Sequence, residues 1–184
     1  MKKGGVGGAH TQKTGQNFED LTLKKLLDDL EIKGYQINNV IEGNTSPRMI
    51  TMKDNMSREI QLFFKASLYK HFMEPKGIDY RKYFSMRLEP DTAIYSVEKK
   101  VLTIIEKKQQ TGSGSVAEKL QTCDFKRRYY ETLLNPLGIE IDLVWQLGKY
   151  FLEQKDNLQS IFEYMLEKGS SYYFLEVPVD ALRI

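Results

Sequence analysis

Glu106-Lys107-Lys108 follows a Pro90-Asp91 pair in this 184-residue chain, and the two motifs together supply carboxylates and ammonium groups in one short stretch. Two carboxylates beside an amine are suited to holding a hard divalent cation and a water against a phosphodiester, because carboxylate oxygens match such ions and a nearby cation meets the negative charge of the phosphate. For that chemistry Asp91 and Glu106 must be brought side by side, and Lys108 must share their face.

The surrounding residues indicate how. The triplet closes the apolar run Val101-Leu102-Thr103-Ile104-Ile105. Side chains alternate along a strand, so Glu106 and Lys108 point one way and Lys107 the other. The pattern predicts a hairpin with strands over Thr92–Val97 and Val101–Lys107 and a turn at Glu98-Lys99-Lys100, which sets Asp91 alongside the triplet. Glu98-Lys99-Lys100 is itself a rival triplet, but it falls at the turn and too soon after Asp91 for two strands to fit between. Each half of the pattern also has a plain reading: Asp91 as a turn residue after proline, and Glu106 with Lys108 as a strand-end ion pair of little value.

Further elements can be read along the chain. A helix is expected from about Asn17, with Leu23, Leu26, Leu27 and Leu30 as its apolar stripe and Gly34 as its end. Tyr35–Ile41 reads as a strand and Glu42–Asn55 as a polar loop. Ile60, Phe63, Phe64, Leu68 and Phe72 suit a helix, with an extended alternative for Ile60–Lys65. A long helix is expected over Val116–Leu134, a strand over Ile139–Leu147, a second helix over Lys149–Lys168 and a last strand over Tyr172–Val177. The order predicts an α/β domain with a mixed central β-sheet flanked by helices, residues 1–184 forming one domain and residues 1–14 a Gly-rich arm.

Composition narrows the class. Hydrophobic residues make up 41% of the chain, ordinary for a globular domain, and no apolar run is long enough to span a membrane. Gly4-Gly5-Val6-Gly7-Gly8 follows Met1-Lys2-Lys3 where a signal peptide needs an apolar segment, and Cys123 is the one cysteine, so a reducing cytoplasmic setting is expected. The net charge is only +2. Between Lys99 and Arg128, however, Lys99, Lys100, Lys107, Lys108, Lys119, Lys126, Arg127 and Arg128 face only Glu106, Glu118 and Asp124. That local excess surrounds the proposed site, where a polyanion has to lie. Taken alone, Lys126-Arg127-Arg128 reads as a solvated helix face.

Pro90-Asp91, an intervening strand pair and Glu106-Lys107-Lys108 together resemble the signature of the PD-(D/E)xK nucleases, whose fold is restriction-endonuclease-like. Thr14-Gly15-Gln16-Asn17-Phe18-Glu19 is similar to the opening of these folds, and the Gln-Gln-Thr-Gly-Ser-Gly-Ser loop with Glu118-Lys119 looks like that of type II restriction endonucleases. The resemblance implies a restriction-endonuclease-like core and a Mg2+-dependent cut of double-stranded DNA leaving a 5′-phosphate and a 3′-hydroxyl. It implies Asp91, Glu106 and the Lys107 carbonyl as metal ligands, with Glu19 joining from the first helix, and Lys108 as the residue that orients or deprotonates water or stabilises the transition state. Candidate DNA contacts are Lys13, Ser113, Lys119, Lys126, Arg127 and Arg128. A double-strand cut needs two such sites, so a homodimer on a palindromic target is expected. A structure-selective repair nuclease or junction resolvase, and a non-catalytic nucleic-acid-binding protein, are the rival readings.

Other signals carry less. Gly8-Ala9-His10-Thr11-Gln12-Lys13-Thr14 lacks the glycine and the preceding strand of a phosphate-binding loop, so no nucleotide cofactor is expected. His10 and His71 lie far apart in sequence, which argues against a histidine metal site. Tyr129-Tyr130 and Tyr172-Tyr173 could stack on bases, but such pairs more often pack in a core.

Overall fold

The structure, a computed structural model, describes residues 8–44, 47–110 and 116–184, with the side chains of residues 8–16 and 116 left out. Its centre is a seven-stranded sheet in the order β1-β2-β3-β4-β5-β6-β7. The strands are β1 (Gln36–Ile41), β2 (Met49–Lys53), β3 (Glu59–Phe63), β4 (Thr92–Ser96), β5 (Val101–Lys108), β6 (Glu140–Leu147) and β7 (Ser170–Phe174). The first five pair antiparallel in succession, whereas β5, β6 and β7 run parallel and are joined by helices. The helices are α1 (Gly8–Ile32), α2 (Val116–Leu120), α3 (Cys123–Leu134), α4 (Lys149–Glu153) and α5 (Gln159–Glu167), with a π-helical turn at Tyr69–Met73. The mixed α/β architecture with flanking helices is therefore as expected.

The sheet has a core on each face. On one side Leu26 and Leu30 of α1 pack with Ile50, Ile60, Leu62, Ile94, Ile105 and Val144, and the C-terminal Val177, Val179 and Leu182 close the layer. On the other, Phe63, Phe72, Leu102, Ile104 and Trp145 pack against Tyr129, Tyr130 and Leu133 of α3 and Phe162 of α5. Burying each such side chain contributes about 1.5–3 kcal/mol. β5 lies mid-sheet between the layers, so its apolar run is buried on both faces.

Several elements differ from the sequence reading. The helix α1 begins at Gly8, inside the segment expected to be an arm; residues 1–7 of that arm lie outside the described residues. The expected loop Glu42–Asn55 contains β2, where Ile50 and Met52 enter the core between polar flanks that mask so short a strand. From Ile60 the extended alternative holds and the helix does not: Glu59–Phe63 is β3, with Ile60 and Leu62 packing on the α1 side and Phe63 on the other, which is strand alternation. The chain turns helical only from Ser67, running into the π-helical turn at Tyr69–Met73. The long helix over Val116–Leu134 is interrupted between Leu120 and Cys123, where the Thr122 hydroxyl donates to the Lys119 carbonyl at 2.7 Å. The helix over Lys149–Lys168 is likewise two, separated by a polar stretch at Gln154–Leu158. β7 starts at Ser170 because Gly169, at φ +72°, turns the chain directly out of α5. Among the described residues no helix is long and apolar enough to cross a membrane.

Candidate active site

The antiparallel ladder of β4 and β5 pairs Thr92 with Ile105, which carries the preceding Asp91 to the flank of Glu106. The segment leading to Asp91 is fastened from above. Tyr130 donates its hydroxyl to the Leu88 carbonyl at 3.1 Å, and the Tyr69 hydroxyl reaches the same carbonyl while meeting the Tyr129 hydroxyl at 2.9 Å. Tyr129 and Tyr130 are thus fully buried anchors, and not exposed stacking platforms. Pro90 is buried, and its carbonyl accepts the Lys65 amide at 3.1 Å.

Around Asp91 the expected residues converge. Oδ2 of Asp91 accepts the backbone N–H of Lys107 at 2.7 Å and lies 3.3 Å from Lys108 Nζ. The same ammonium is 3.1 Å from Glu106 Oε2 and donates to the Lys107 carbonyl at 2.9 Å. Three oxygens, from Asp91, Glu106 and the Lys107 peptide, therefore close on one cationic point. Glu106 is only 2% exposed, and its Oε1 is buried without a hydrogen-bond partner among the described residues. An acceptor left so costs about 1–3 kcal/mol unless something fills the gap. The donor set is all oxygen, with two carboxylates and a carbonyl, which fits a hard divalent ion such as magnesium that keeps several waters. Among the described residues no three His, Cys, Asp or Glu side chains gather as a conventional cluster.

Two further cations complete the site: Lys126, expected from the sequence only as a DNA contact, and Lys65, which the sequence did not mark. Lys126, on α3, places Nζ 2.6 Å from Glu106 Oε2. Its side chain is 19% exposed, so it belongs to the site's interior and not to a solvated helix face. Lys108 and Lys126 both lie over the indole of Trp145, at 5.6 and 5.5 Å from the ring centre, and Trp145 is the β6 neighbour of Glu106. Lys65 follows β3 and reaches Asp91 Oδ1 at 3.4 Å and Glu19 Oε2 at 2.8 Å. It holds φ at +51°, a left-handed conformation that a lysine adopts only under local constraint. Nothing in the local sequence marks Lys65, because its contacts come from α1 and from the start of β4.

The strand's alternation divides the site. Glu106 and Lys108 face α3, whereas Lys107 faces α1, with Nζ 3.4 Å from the Glu19 carbonyl. Glu19 thus approaches from the opposite side of the sheet and joins Asp91 through Lys65. Of the remaining basic candidates, Lys119 and Arg128 are exposed. Arg127 is engaged within the fold, pairing with Glu131 at 2.9 Å and donating to the Gly169 carbonyl at 2.6 Å. Ser113 and the side chain of Lys13 lie outside the described residues.

Electrostatics follow from burial and pairing. Burial pushes the Asp91 carboxyl up, but Lys108, the Lys107 amide and Lys65 outweigh it and hold Asp91 below the usual aspartate value. Burial also opposes the charge on Lys108, yet Asp91 and Glu106 hold that ammonium above the usual lysine value. Lys107 lacks comparable partners; burial brings it down to about 8.

No protein-family model and no curated protein matches the chain.

Proposed function

We propose that this protein is a magnesium-dependent DNA endonuclease with a restriction-endonuclease-like core, of the sequence-specific type II class. The observation that carries the reading is the closure of Asp91 Oδ2, Glu106 Oε2 and the Lys107 carbonyl on the Lys108 ammonium. The helix α1, the antiparallel strands β3–β5, the helix α3 and the parallel strand β6 support the core assignment.

Asp91, Glu106 and the Lys107 carbonyl would hold the magnesium, which supplies polarisation of the phosphoryl oxygen and a more acidic water when bound. Lys108 carries its ammonium against Asp91 and Glu106. It donates a hydrogen bond to a phosphoryl oxygen and offsets the charge that builds there in the transition state. Lys126 and Trp145 fix Glu106 and Lys108 from the α3 side. Lys65 holds Asp91 toward Glu19. Water attacks phosphorus in line and releases its proton to solvent, the bond to the 3′ oxygen breaks, and that oxygen takes a proton from solvent water to leave as a hydroxyl. One such site cuts one strand, so a double-strand cut calls for a homodimer.

The test is incubation of plasmid DNA with the purified protein and magnesium, followed by sequencing of the ends. Discrete ends at one short palindromic sequence are expected. Cuts without sequence preference would point to a structure-selective nuclease of the same fold. Cleavage by folded Asp91→Ala and Lys108→Ala proteins at the wild-type rate would overturn the assignment.

A further inference from the structure

Beside the catalytic carboxylates lies a cavity of about 540 Å³, formed where the β1–β2 connection, the end of β3 and the π-helical turn meet. Four cationic side chains line it, Arg48, Lys65, Lys70 and Arg87, against the single carboxylate of Glu74. Arg48 and Lys70 are exposed, and among the described residues neither has an ion-pair partner. Arg87 is held in place by Glu89 and lies 5.2 Å from the ring centre of Tyr69. His71 also lines the cavity, and its Nε2 is buried with no hydrogen-bond partner among the described residues. The volume is in the range that takes a nucleotide-sized group. Lys65 is shared: it lines the cavity and reaches Asp91.

Unsatisfied cations gathered in a concave wall favour an anion, and the chemistry present is that of a phosphate: diffuse positive charge, a guanidinium fork and an imidazole nitrogen. We propose that this cavity seats a backbone phosphate of the DNA strand next to the one being cut, with Arg48 and Lys70 as its principal contacts. The proposal rests on the nuclease reading and adds to it the path of the strand. From the reactive phosphate at Asp91 and Lys108 the backbone passes Lys65 and enters the space between Arg48 and Lys70. Such contacts position the duplex and carry no sequence information.

The experiment is fluorescence anisotropy with a labelled duplex of random sequence, in buffer without magnesium so that nothing is cut. The variant Arg48→Glu with Lys70→Glu is compared with Lys99→Glu and Lys100→Glu, which makes the same charge change at the far end of the β4–β5 hairpin, where the fold sets these two lysines away from Asp91 and not around the site as the sequence suggested. The cavity variant is expected to bind about tenfold or more weakly and to lose about two from the salt slope. The hairpin variant should stay within about twofold of wild type. Arg48→Gln with Lys70→Gln should fall between wild type and the charge reversal, and serves should the reversal fail to fold. Wild-type affinity in the cavity variants, or an equal loss in the hairpin variant, overturns the proposal. Binding through the cavity without any cutting of magnesium-treated plasmid would sink the nuclease reading alone.

Discussion

Lys126, on a helix, sets its ammonium 2.6 Å from Oε2 of Glu106, a strand residue whose side chain is 3% exposed. The contact links the helix α3 to the strand that carries the proposed chemistry, and it gives the buried carboxylate a second cation besides Lys108. Removing Lys126 therefore leaves Glu106 underpaired in a poorly hydrated place. Lys126→Met is expected to destabilise the protein by roughly 1–3 kcal/mol. Pairing it with Glu106→Gln in a double-mutant cycle, read by urea unfolding, should return a coupling on the order of 1 kcal/mol or more. Simple additivity would show that the contact contributes nothing.

Lys108→Ala and Asp91→Ala are expected to lower the single-turnover rate of DNA cleavage by on the order of 10²–10³-fold or more, the effect typical of losing one preorganised charge partner of a transition state. Asp91→Ala should in addition weaken the binding of magnesium or calcium in calorimetry, since it deletes one of the proposed ligands. Lys108→Ala should leave ion binding at wild-type strength or tighten it, because it removes a competing cation from the same oxygens.

Lys65 joins a conformational demand to an electrostatic one. Lys65→Ala and Lys65→Gly both abolish the pairing with Asp91 and Glu19, and both should cut more slowly than wild type. They should differ in stability. Glycine accepts a φ of +51° readily and alanine does not, so the glycine variant is expected to be the more stable by roughly 1 kcal/mol. Equal urea midpoints for the two would show that the backbone there is not constrained.

Asp142 gives a pH prediction away from the site. Burial pushes its carboxyl up, and the opposing pull of Arg183, Arg127 and the Thr103 hydroxyl does not restore it. A carboxyl raised in the folded state binds its proton more tightly there than in the unfolded chain. Stability is therefore greatest below the unfolded value of about 4 and falls as pH rises through the folded value. Asp142→Asn removes that loss. Its urea midpoint should exceed the wild-type midpoint at pH 7, and the gap should close near pH 3.

The β4–β5 hairpin and its charged end were legible in the sequence because both depend on short-range alternation. Val101–Ile105 is uninterrupted, its turn is polar, and one pairing register then sets Asp91 beside Glu106. The helix α1 and the strand β6 were legible for the same reason, although the start of α1 was not. β2 and β3 were harder. Met49–Lys53 is short and flanked by polar residues, and Ile60, Phe63 and Phe64 mimic helical spacing while serving two faces of a sheet. Lys65 could not be found locally at all, and Lys126 was found as a candidate DNA contact but not as the partner of Glu106. Their partners are Glu19, Asp91 and Glu106, and only the folded sheet brings them within reach. A lysine beside Arg127 and Arg128 carries the same local signal whether it points into solvent or into a cleft.

Three consecutive charged residues at the end of β5 serve opposite sides of one sheet, so their usefulness hangs on parity. Inserting or deleting one residue between Ile105 and Glu106 would turn Lys107 toward α3 and swing Glu106 and Lys108 toward α1, leaving Trp145 and Lys126 with the wrong neighbour. The β5–β6 pairing of Glu106 with Trp145 is what fixes that count. Length changes should be tolerated in the polar turn at Glu98-Lys99-Lys100 and fatal a few residues later, a boundary that lies inside a single strand.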